Sequence, residues 1–313
     1  MISLRSHAIS LAAVFLALAI GVMLGSGLLS NTLLSGLRDD KHEMQNEIND
    51  LTDEKNGLNE RLGAAGEFDA QMSPRILRDA FKDKSVVVFR TPDAADDDVD
   101  ALTRYVGVSG GTVTGTVALT QEFVDANSAE KLLSVVNSPI VPAGRQLSTT
   151  LVDQGSQAGD LLGISLLRGK GPAGAAVDDA QRDTVLATLR DTGFLTYGDQ
   201  RIGAADTALI VTGAGLADDA GNQGATVARL AAAMAPHGTG TVVAGRSGSA
   251  TGTSAVAVVR SDPALSSQVA TVDDVDAQAG RLTAVLALGD LSGGGATGQY
   301  GTGQGATAVT VAQ

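Results

Sequence analysis

The sequence predicts an α/β protein with an N-terminal transmembrane helix, a dimeric parallel coiled coil, and a mostly parallel sheet with helices on both faces. Three observations predict this architecture. A long uncharged apolar run lies near the N-terminus, a seven-residue apolar repeat follows it, and short apolar runs then alternate with amphipathic segments. Strands that alternate with helices are typical of a parallel sheet covered on both sides.

The predicted elements divide the 313 residues into five segments. A domain of roughly 230 residues at the end of the chain is within the usual size of a single domain. The segments are a cytoplasmic head (1–7), a transmembrane helix (8–29), a coiled coil (30–67), a linker with a short helix (68–83) and an exported α/β domain (84–313).

The composition excludes several classes of function. A net charge of −13 repels nucleic-acid phosphates, so we predict no DNA or RNA binding. Cysteine is absent, which removes disulfides, thiolate metal sites and cysteine catalysis together. Tryptophan is absent and aromatic residues make up only 3%, so the core must be packed from small aliphatic side chains.

Residues 8–29 carry no fixed charge, and a helix of this length at about 1.5 Å per residue spans roughly 33 Å of hydrocarbon. A cleaved signal peptide has a shorter apolar region of about 7–15 residues, so an uncleaved anchor is favoured over a signal peptide. Basic residues on both sides leave the orientation open, while the short head favours an exported C-terminal domain. Gly21 and Gly25 suit either a helix contact or the ordinary glycine content of membrane helices.

A heptad repeat follows the span. Apolar residues recur every seven positions from 37 to 58, and a second series, half of it lysine, follows each by four. Lysines in that series favour a parallel homodimer over larger assemblies. The alternative is a single amphipathic helix lying on its own domain. Gly63 and Gly66 are expected to end the helix. The predicted seam consists of Leu37, Met44, Ile48, Leu51, Leu58 and Leu62.

Periodicity predicts the elements of the exported domain. Seven glycines make residues 293–305 a flexible loop. Strands are predicted over 84–90, 112–119, 207–212, 241–244, 255–259 and 308–311. Helices are predicted over 73–81, 96–107, 127–137, 147–167, 178–192, 222–235 and 282–291, with a strand as the alternative for the last.

Three motifs resemble catalytic or cofactor loops but lack the context that those loops need. Ser109 lies in a Gly-x-Ser-x-Gly sequence, yet a predicted helix precedes it where a nucleophile elbow needs a strand, so we interpret it as a helix C-cap turn. Ser128 and Lys131 match Ser-x-x-Lys without its companion motifs. The 213–215 turn lacks the third glycine of a dinucleotide loop. We predict no catalytic residue, no cofactor-binding residue and no enzyme activity.

Acidic residues after the first predicted strand are candidates for a cation site. Asp93, Asp96, Asp97 and Asp98 supply hard oxygen ligands at the sheet end where α/β proteins bind ligands. Acids in a first helical turn also complement the helix dipole, and this interpretation is favoured. His237 follows a predicted helix and is expected to cap it. The weak metal candidates are therefore Asp96, Asp97, Asp98 and His237.

Six stretches carry a resemblance to a known family. Through them the whole chain is similar to the actinobacterial copper-transport family MctB, and it also resembles the corynebacterial cell-separation protein SteB. The first resemblance implies an outer-membrane channel of mycolic-acid bacteria that lowers intracellular copper. The second implies control of peptidoglycan hydrolysis with a membrane partner. The stretches are 1–27, 88–93 (VFRTPD), 119–124 (LTQEFV), 128–132 (SAEKL), 151–163 (LVDQGSQAGDLLG) and 299–303 (QYGTG).

Residue chemistry favours an interaction module over a copper site. Copper(I) is usually held by Cys or Met and copper(II) by His, whereas the chain has no Cys and five scattered Met. Copper is therefore expected only from the resemblance. We predict a non-catalytic homodimer of the cell envelope, in either the inner or the outer membrane, that contacts an envelope protein partner. The alternative is a regulatory partner in cell separation with no direct copper chemistry.

Overall fold

The computed structural model describes residues 4–26, 29–169, 177–217 and 219–312, without the side chains of Leu4, Ser26 and 29–39. The chain separates into two compact units, Met1–Ala65 and Gly66–Gln313. The described part of the first unit is helical, and the second unit contains the sheet.

Two helices account for the described part of the first unit. α1 runs Leu4–Ser26, and α2 runs Leu29–Ile76, past the end of this unit. The Arg5–Gly25 stretch of α1 has a mean hydropathy of 2.5 and is long and apolar enough to cross a membrane, which no other helix in the described ranges is. The sequence predicted the span over 8–29, of which residues 27 and 28 lie outside the described ranges.

α2 continues through the two glycines that were expected to end it. Gly63 and Gly66 both lie inside the helix, and an added Cβ at either would meet no atom within 4 Å. A glycine in a helix interior costs roughly 1 kcal/mol relative to alanine, which a helix of 48 residues tolerates. The predicted break was therefore wrong. The start of the short helix predicted over 73–81 belongs to the last turn of α2.

The second unit contains a sheet of seven strands among its described residues. The strands are β1 (Ser85–Arg90), β2 (Thr112–Leu119), β3 (Leu195–Tyr197), β4 (Thr207–Val211), β5 (Gly240–Ala244), β6 (Val269–Val272) and β7 (Gln299–Tyr300). Their spatial order is β3-β2-β1-β4-β5-β6-β7. β3 pairs with β2 in antiparallel fashion, and every other neighbouring pair is parallel. The mostly parallel sheet that the sequence predicted is confirmed.

Helices connect the strands, and the side chains of Asp153, Asp178 and Asp262 cap the start of three of them. The side chain of Asp153 accepts from Ser156 N, and that of Asp178 accepts from Gln181 N, which satisfies amides that a helix start leaves free. The helices are α3 (Asp96–Val108), α4 (Gln121–Val124), α5 (Ala129–Val136), α6 (Gln154–Leu166), α7 (Asp179–Asp191), α8 (Gln223–Met234), α9 (Ala255–Ser261), α10 (Pro263–Ser266) and α11 (Gln278–Ser292).

Alternate residues of β1 contribute to two separate cores. Val87 and Phe89 join an apolar cluster with residues of α5, α6, α7 and α8. Val86 and Val88 join a second cluster with residues of α3 and α11. All four side chains are fully buried, and successive side chains of a strand point to opposite faces. Helices therefore cover both faces of the sheet.

Several element predictions were wrong. The strand predicted over 255–259 is the helix α9, because a run of five apolar residues suits a buried strand and a buried helix equally. β3, β6 and β7 were missed since two to four residues are too few to show alternation. The strand predicted over 308–311 is reduced to one bridge between Ala308 and Tyr300. The helix predicted over 282–291 is confirmed within α11.

Candidate functional site

An exposed apolar stripe on α2 is the most extended candidate surface. Five of the six predicted seam residues are described, and each side chain is between 52% and 69% exposed. The side chain of Leu37 lies outside the described ones. Isolated apolar residues are normal on a surface, but a continuous stripe indicates an interface. We call this stripe the seam, and its described residues are Met44, Ile48, Leu51, Leu58 and Leu62.

The two glycines predicted to form a membrane contact have open space around them. An added Cβ at Gly21 or at Gly25 would meet no atom within 4 Å. A second helix can approach closely at such a face. The helix contact at Gly21 and Gly25 remains a prediction.

Asp93 joins the carboxyl ends of β1 and β4. It accepts hydrogen bonds from Thr91 Oγ1, which directly follows β1, and from the backbone N–H of Gly213, which follows β4, at 3.0 Å. An added Cβ on Gly213 would lie 2.5 Å from Asp93 O, so the turn needs glycine for close approach. The glycine-rich turn at 213–215 thus holds a protein carboxylate where a dinucleotide loop would hold a phosphate.

The three acids at the start of α3 have different surroundings. Asp96 pairs with Arg90 at the surface, and Asp97 is exposed. Asp98 is completely buried, where Arg281 Nη2 lies 2.8 Å from Oδ1 and Arg246 Nε lies 3.0 Å from Oδ2. Two guanidiniums therefore lie within ion-pair distance of Asp98, although the geometry at Oδ2 is not that of a hydrogen bond. The structure does not bring the three carboxylates together around one point.

His237 ends a short 3₁₀ turn, Ala235–His237, that follows α8. Its Nε2 lies 2.6 Å from Oδ1 of Asp160 on α6. Oδ2 of this buried aspartate accepts from Ser148 N at 2.7 Å. Because a carboxylate accepts hydrogen bonds, Nε2 of His237 is the donor in this pair. His237 is therefore held by a specific carboxylate, and Asp160 is a site residue that the sequence analysis missed.

Glycines of α6 allow this pair to form. Gly155, Gly159 and Gly163 recur every four residues, and a Cβ added to the first two would lie within 2.5 Å of the carbonyl oxygens of Thr226 and Leu230 on α8. A Cβ on Gly163 would lie 2.6 Å from Cδ2 of His237. The glycines thus allow α8 to approach α6 and leave room for the imidazole of His237 beside Gly163. The 151–163 motif carries both the glycines and Asp160.

A buried ion pair holds the C-terminal segment against the carboxyl end of β6. Arg260 and Asp273 pair with almost no exposure. Asp273 also accepts from the backbone N–H groups of Thr302 and Gly303 at 3.0 and 2.9 Å. Gly301 has φ of 121°, and a Cβ there would lie 2.2 Å from Asp273 Oδ1. The Gln-Tyr-Gly-Thr-Gly motif is therefore a turn wrapped around a carboxylate.

Asp274 lies beside this pair and is poorly compensated. Burial, followed by the charges of Asp273 and Asp276, raises its pKa to about 6, while Arg260 opposes the shift. Its Oδ1 has no hydrogen-bond partner among the described residues. The ionised form is thus disfavoured in the folded domain.

The metal-ligating side chains among the described residues do not gather at one point. In those ranges no three His, Cys, Asp or Glu side chains are gathered so that they could hold one ion. Ser109 caps the C-terminus of α3, and Gly110 follows with φ of 83°, which confirms the interpretation of that motif as a helix C-cap turn. The metal roles of Asp96, Asp97, Asp98 and His237 remain predictions.

Comparison with known proteins gives consistent matches over the full length. The family described as "Copper transport outer membrane protein, MctB" matches residues 1–311. A Mycobacterium tuberculosis protein named "Copper transporter MctB" is 62% identical over 314 residues, which cover all of both chains. The protein of that name from Mycobacterium leprae is 63% identical over 317 residues, again covering both chains completely.

Proposed function

Because the chain belongs to the MctB family of copper transport proteins, we propose that it serves copper transport in the cell envelope as a membrane-anchored, non-catalytic dimer. In this proposal α1 crosses the membrane with its N-terminus in the cytoplasm, and α2 pairs with a second copy. The α/β domain lies outside the cytoplasm and contacts an envelope protein partner. Copper is the cargo of the system in which the dimer works.

The observation that carries this proposal is the exposed seam. Burying an apolar side chain of this size contributes about 1.5–3 kcal/mol before entropy losses, and each helix offers five described ones. A second copy is the occupant that fits, since an in-register parallel helix presents the same residue every seven positions. Lysine at 41 and 55 in the second series suits a dimer, in which long side chains reach solvent.

The donors of the domain support a role in which copper is not bound tightly. Its one imidazole, His237, already bonds Asp160 through Nε2. Met234 is completely buried in an apolar cluster, so its sulfur does not face solvent. Tight copper sites combine several soft or imidazole ligands at one point.

The test is restoration of copper homeostasis in the bacterium that encodes this chain. Cells without the protein are expected to accumulate copper, and the wild-type chain should restore the normal content. A chain with Leu51→Asp and Leu58→Asp should fail to restore it, because charges within the seam separate the helices. Cellular copper is measured by elemental mass spectrometry, and membrane content of each variant by immunoblot.

The matched control adds the same two charges on the outer face of α2. Asn46→Asp and Asn56→Asp lie away from the seam by heptad position and should restore copper content fully. Full restoration by the seam variant, at equal membrane content, would contradict the dimer. Normal copper content in cells without the protein would contradict the role in copper transport itself.

A further inference from the structure

A cavity of about 430 Å³ lies between α6, α8 and the segment that contains α10. Pockets for small molecules are commonly of this size, largely apolar, with a few polar groups that fix orientation. The cavity belongs entirely to the α/β domain and is separate from the seam. No step of the proposed function uses it.

One face of α8 forms the floor of this cavity. Arg229, Ala232 and Ala233 line it at helical spacing, and Pro236 adds to the floor from the turn after α8. The two alanines leave the hollow open because their side chains end at Cβ. Leu151 and Leu265 from the opposite walls also line it, so most of the surface is apolar.

The His237–Asp160 pair forms the polar end of the cavity. Both residues line it, and the hydrogen bond between them fixes the imidazole plane. Nδ1 makes no hydrogen bond to a described residue, so this nitrogen is open to solvent or to an occupant. The Asp160 carboxylate already accepts from His237 and from Ser148 N, which satisfies both of its oxygens.

Arg229 gives the cavity a cationic rim. Its side chain is exposed, and within the described part of the chain it makes neither an ion pair nor a hydrogen bond. A guanidinium presents a planar fork of donors that matches a carboxylate. The engaged Asp160 and the unengaged Arg229 together favour an anion over a cation as the occupant.

We infer that this cavity binds a small carboxylate with an apolar body. The carboxylate pairs with Arg229, and the hydrocarbon lies on Ala232, Ala233 and Leu265. An occupant in this position lies against His237, which lines the same cavity.

The test measures protection of His237 from acylation in the full chain held in lipid nanodiscs. Diethyl pyrocarbonate acylates free imidazole nitrogens, and the exposed His42 on α2 serves as an internal reference. Hexanoate is the probe, and peptide mass spectrometry gives the modification rate at each histidine. Hexanoate should slow the reaction of His237 and leave that of His42 unchanged.

Two further probes separate charge from apolar contact. Hexan-1-ol and hexylammonium carry the same hydrocarbon and should give no protection at equal concentration. Arg229→Gln should raise the hexanoate concentration for half protection about ten- to a hundredfold, the range for a charge-assisted hydrogen bond. For Arg229→Lys, the hexanoate concentration for half protection should lie between those of the wild type and Arg229→Gln, because lysine keeps the charge but lacks the planar pair of donors.

The control variant is Arg78→Gln, which removes an exposed guanidinium outside the cavity and should leave protection unchanged. Arg229 is itself exposed, so its replacement does not disturb the core. Absence of protection by hexanoate would overturn the inference, as would equal protection by hexan-1-ol. Protection that persists undiminished in Arg229→Gln would overturn the assignment of Arg229.

Discussion

Buried carboxylates of the domain are compensated to different extents. Asp98 meets two guanidiniums, and Asp273 meets one guanidinium and two backbone N–H groups. Asp160 meets an imidazole and one backbone N–H. Asp274 is the exception, since burial and neighbouring acids raise its pKa. A buried charge that lacks partners destabilises the folded state.

Replacing Asp274 with asparagine should therefore stabilise the domain at alkaline pH. The pKa of this carboxyl rises from 3.8 to about 6 on folding. Because the folded state binds this proton more tightly, protonation of Asp274 stabilises the folded domain. This contribution is complete below the unfolded pKa of 3.8 and is lost as the pH rises through the folded pKa of about 6. Asp274→Asn should raise the free energy of unfolding by about 2 kcal/mol at pH 8.

Thermal unfolding followed by calorimetry measures this effect. The gain should shrink toward zero as the pH falls below about 3, where Asp274 carries a proton in both the folded and the unfolded state. Asp100→Asn removes a carboxylate from an exposed position and is the control, expected to change little at either pH. A gain that is the same at both pH values would show that charge is not the cause.

The side-chain partners of single residues could not be predicted where the partner lies far away in the sequence. Ser109 was correctly interpreted as a cap because a helix and a glycine flank it directly. The partner of His237 was missed because Asp160 lies 77 residues earlier. Spacing along one chain indicates which residues share a helix face, but not which helices pack together. Three glycines at four-residue intervals in α6 were the available signal of a close helix contact.

Secondary structure elements were predictable where their periodicity was long. The helix α2 shows a seven-residue repeat over several turns, and the strand β2 extends over eight residues. The strand β1 was predicted from a short apolar run without a period, and there the prediction was correct. α9 was predicted as a strand because Ala255–Val259 is uniformly apolar and shows no period. The strand β7 has only two residues, and it is a strand because it pairs with β6. Such tertiary effects are invisible in local sequence.

Cysteine crosslinking tests the parallel pairing of α2. The chain has no native Cys, so Leu51→Cys introduces one thiol in the seam. In a parallel dimer the two copies of residue 51 face each other across the axis, and mild oxidation in the membrane should join most of the chains. Non-reducing electrophoresis measures the dimer fraction.

Asn46→Cys provides the comparison from the outer face of the same helix. Its thiols lie on opposite sides of the pair by heptad position, so it should crosslink far less under identical oxidation. Equal crosslinking at the two positions would indicate random collision in the membrane. Absence of crosslinking at both would contradict a parallel dimer and favour the single amphipathic helix.

At the scale of the whole molecule, the architecture of the chain could be predicted from the sequence better than its chemistry. The apolar helix, the heptads and the parallel α/β domain follow from patterns, and the full-length family match agrees with the resemblance seen in six stretches. The family name refers to copper transport, whereas no three His, Cys, Asp or Glu side chains of the described residues are gathered so that they could hold one ion. The indirect role proposed above, through a dimer and a partner, would account for both observations.

Direct copper binding by the purified full chain distinguishes the indirect role from a direct one. Weak carboxylates such as Asp97 do not select copper over other divalent ions, so calorimetry in nanodiscs should show no saturable binding at nanomolar copper(I) or copper(II). Copper(I) is added without oxygen, and zinc(II) is the comparison ion. Nanomolar binding that disappears in His237→Ala but persists in His42→Ala would place copper at the His237–Asp160 pair and make the domain itself a carrier. Equal weak binding of copper(II) and zinc(II) would support the indirect role, because an unselective site does not sort copper from other metals.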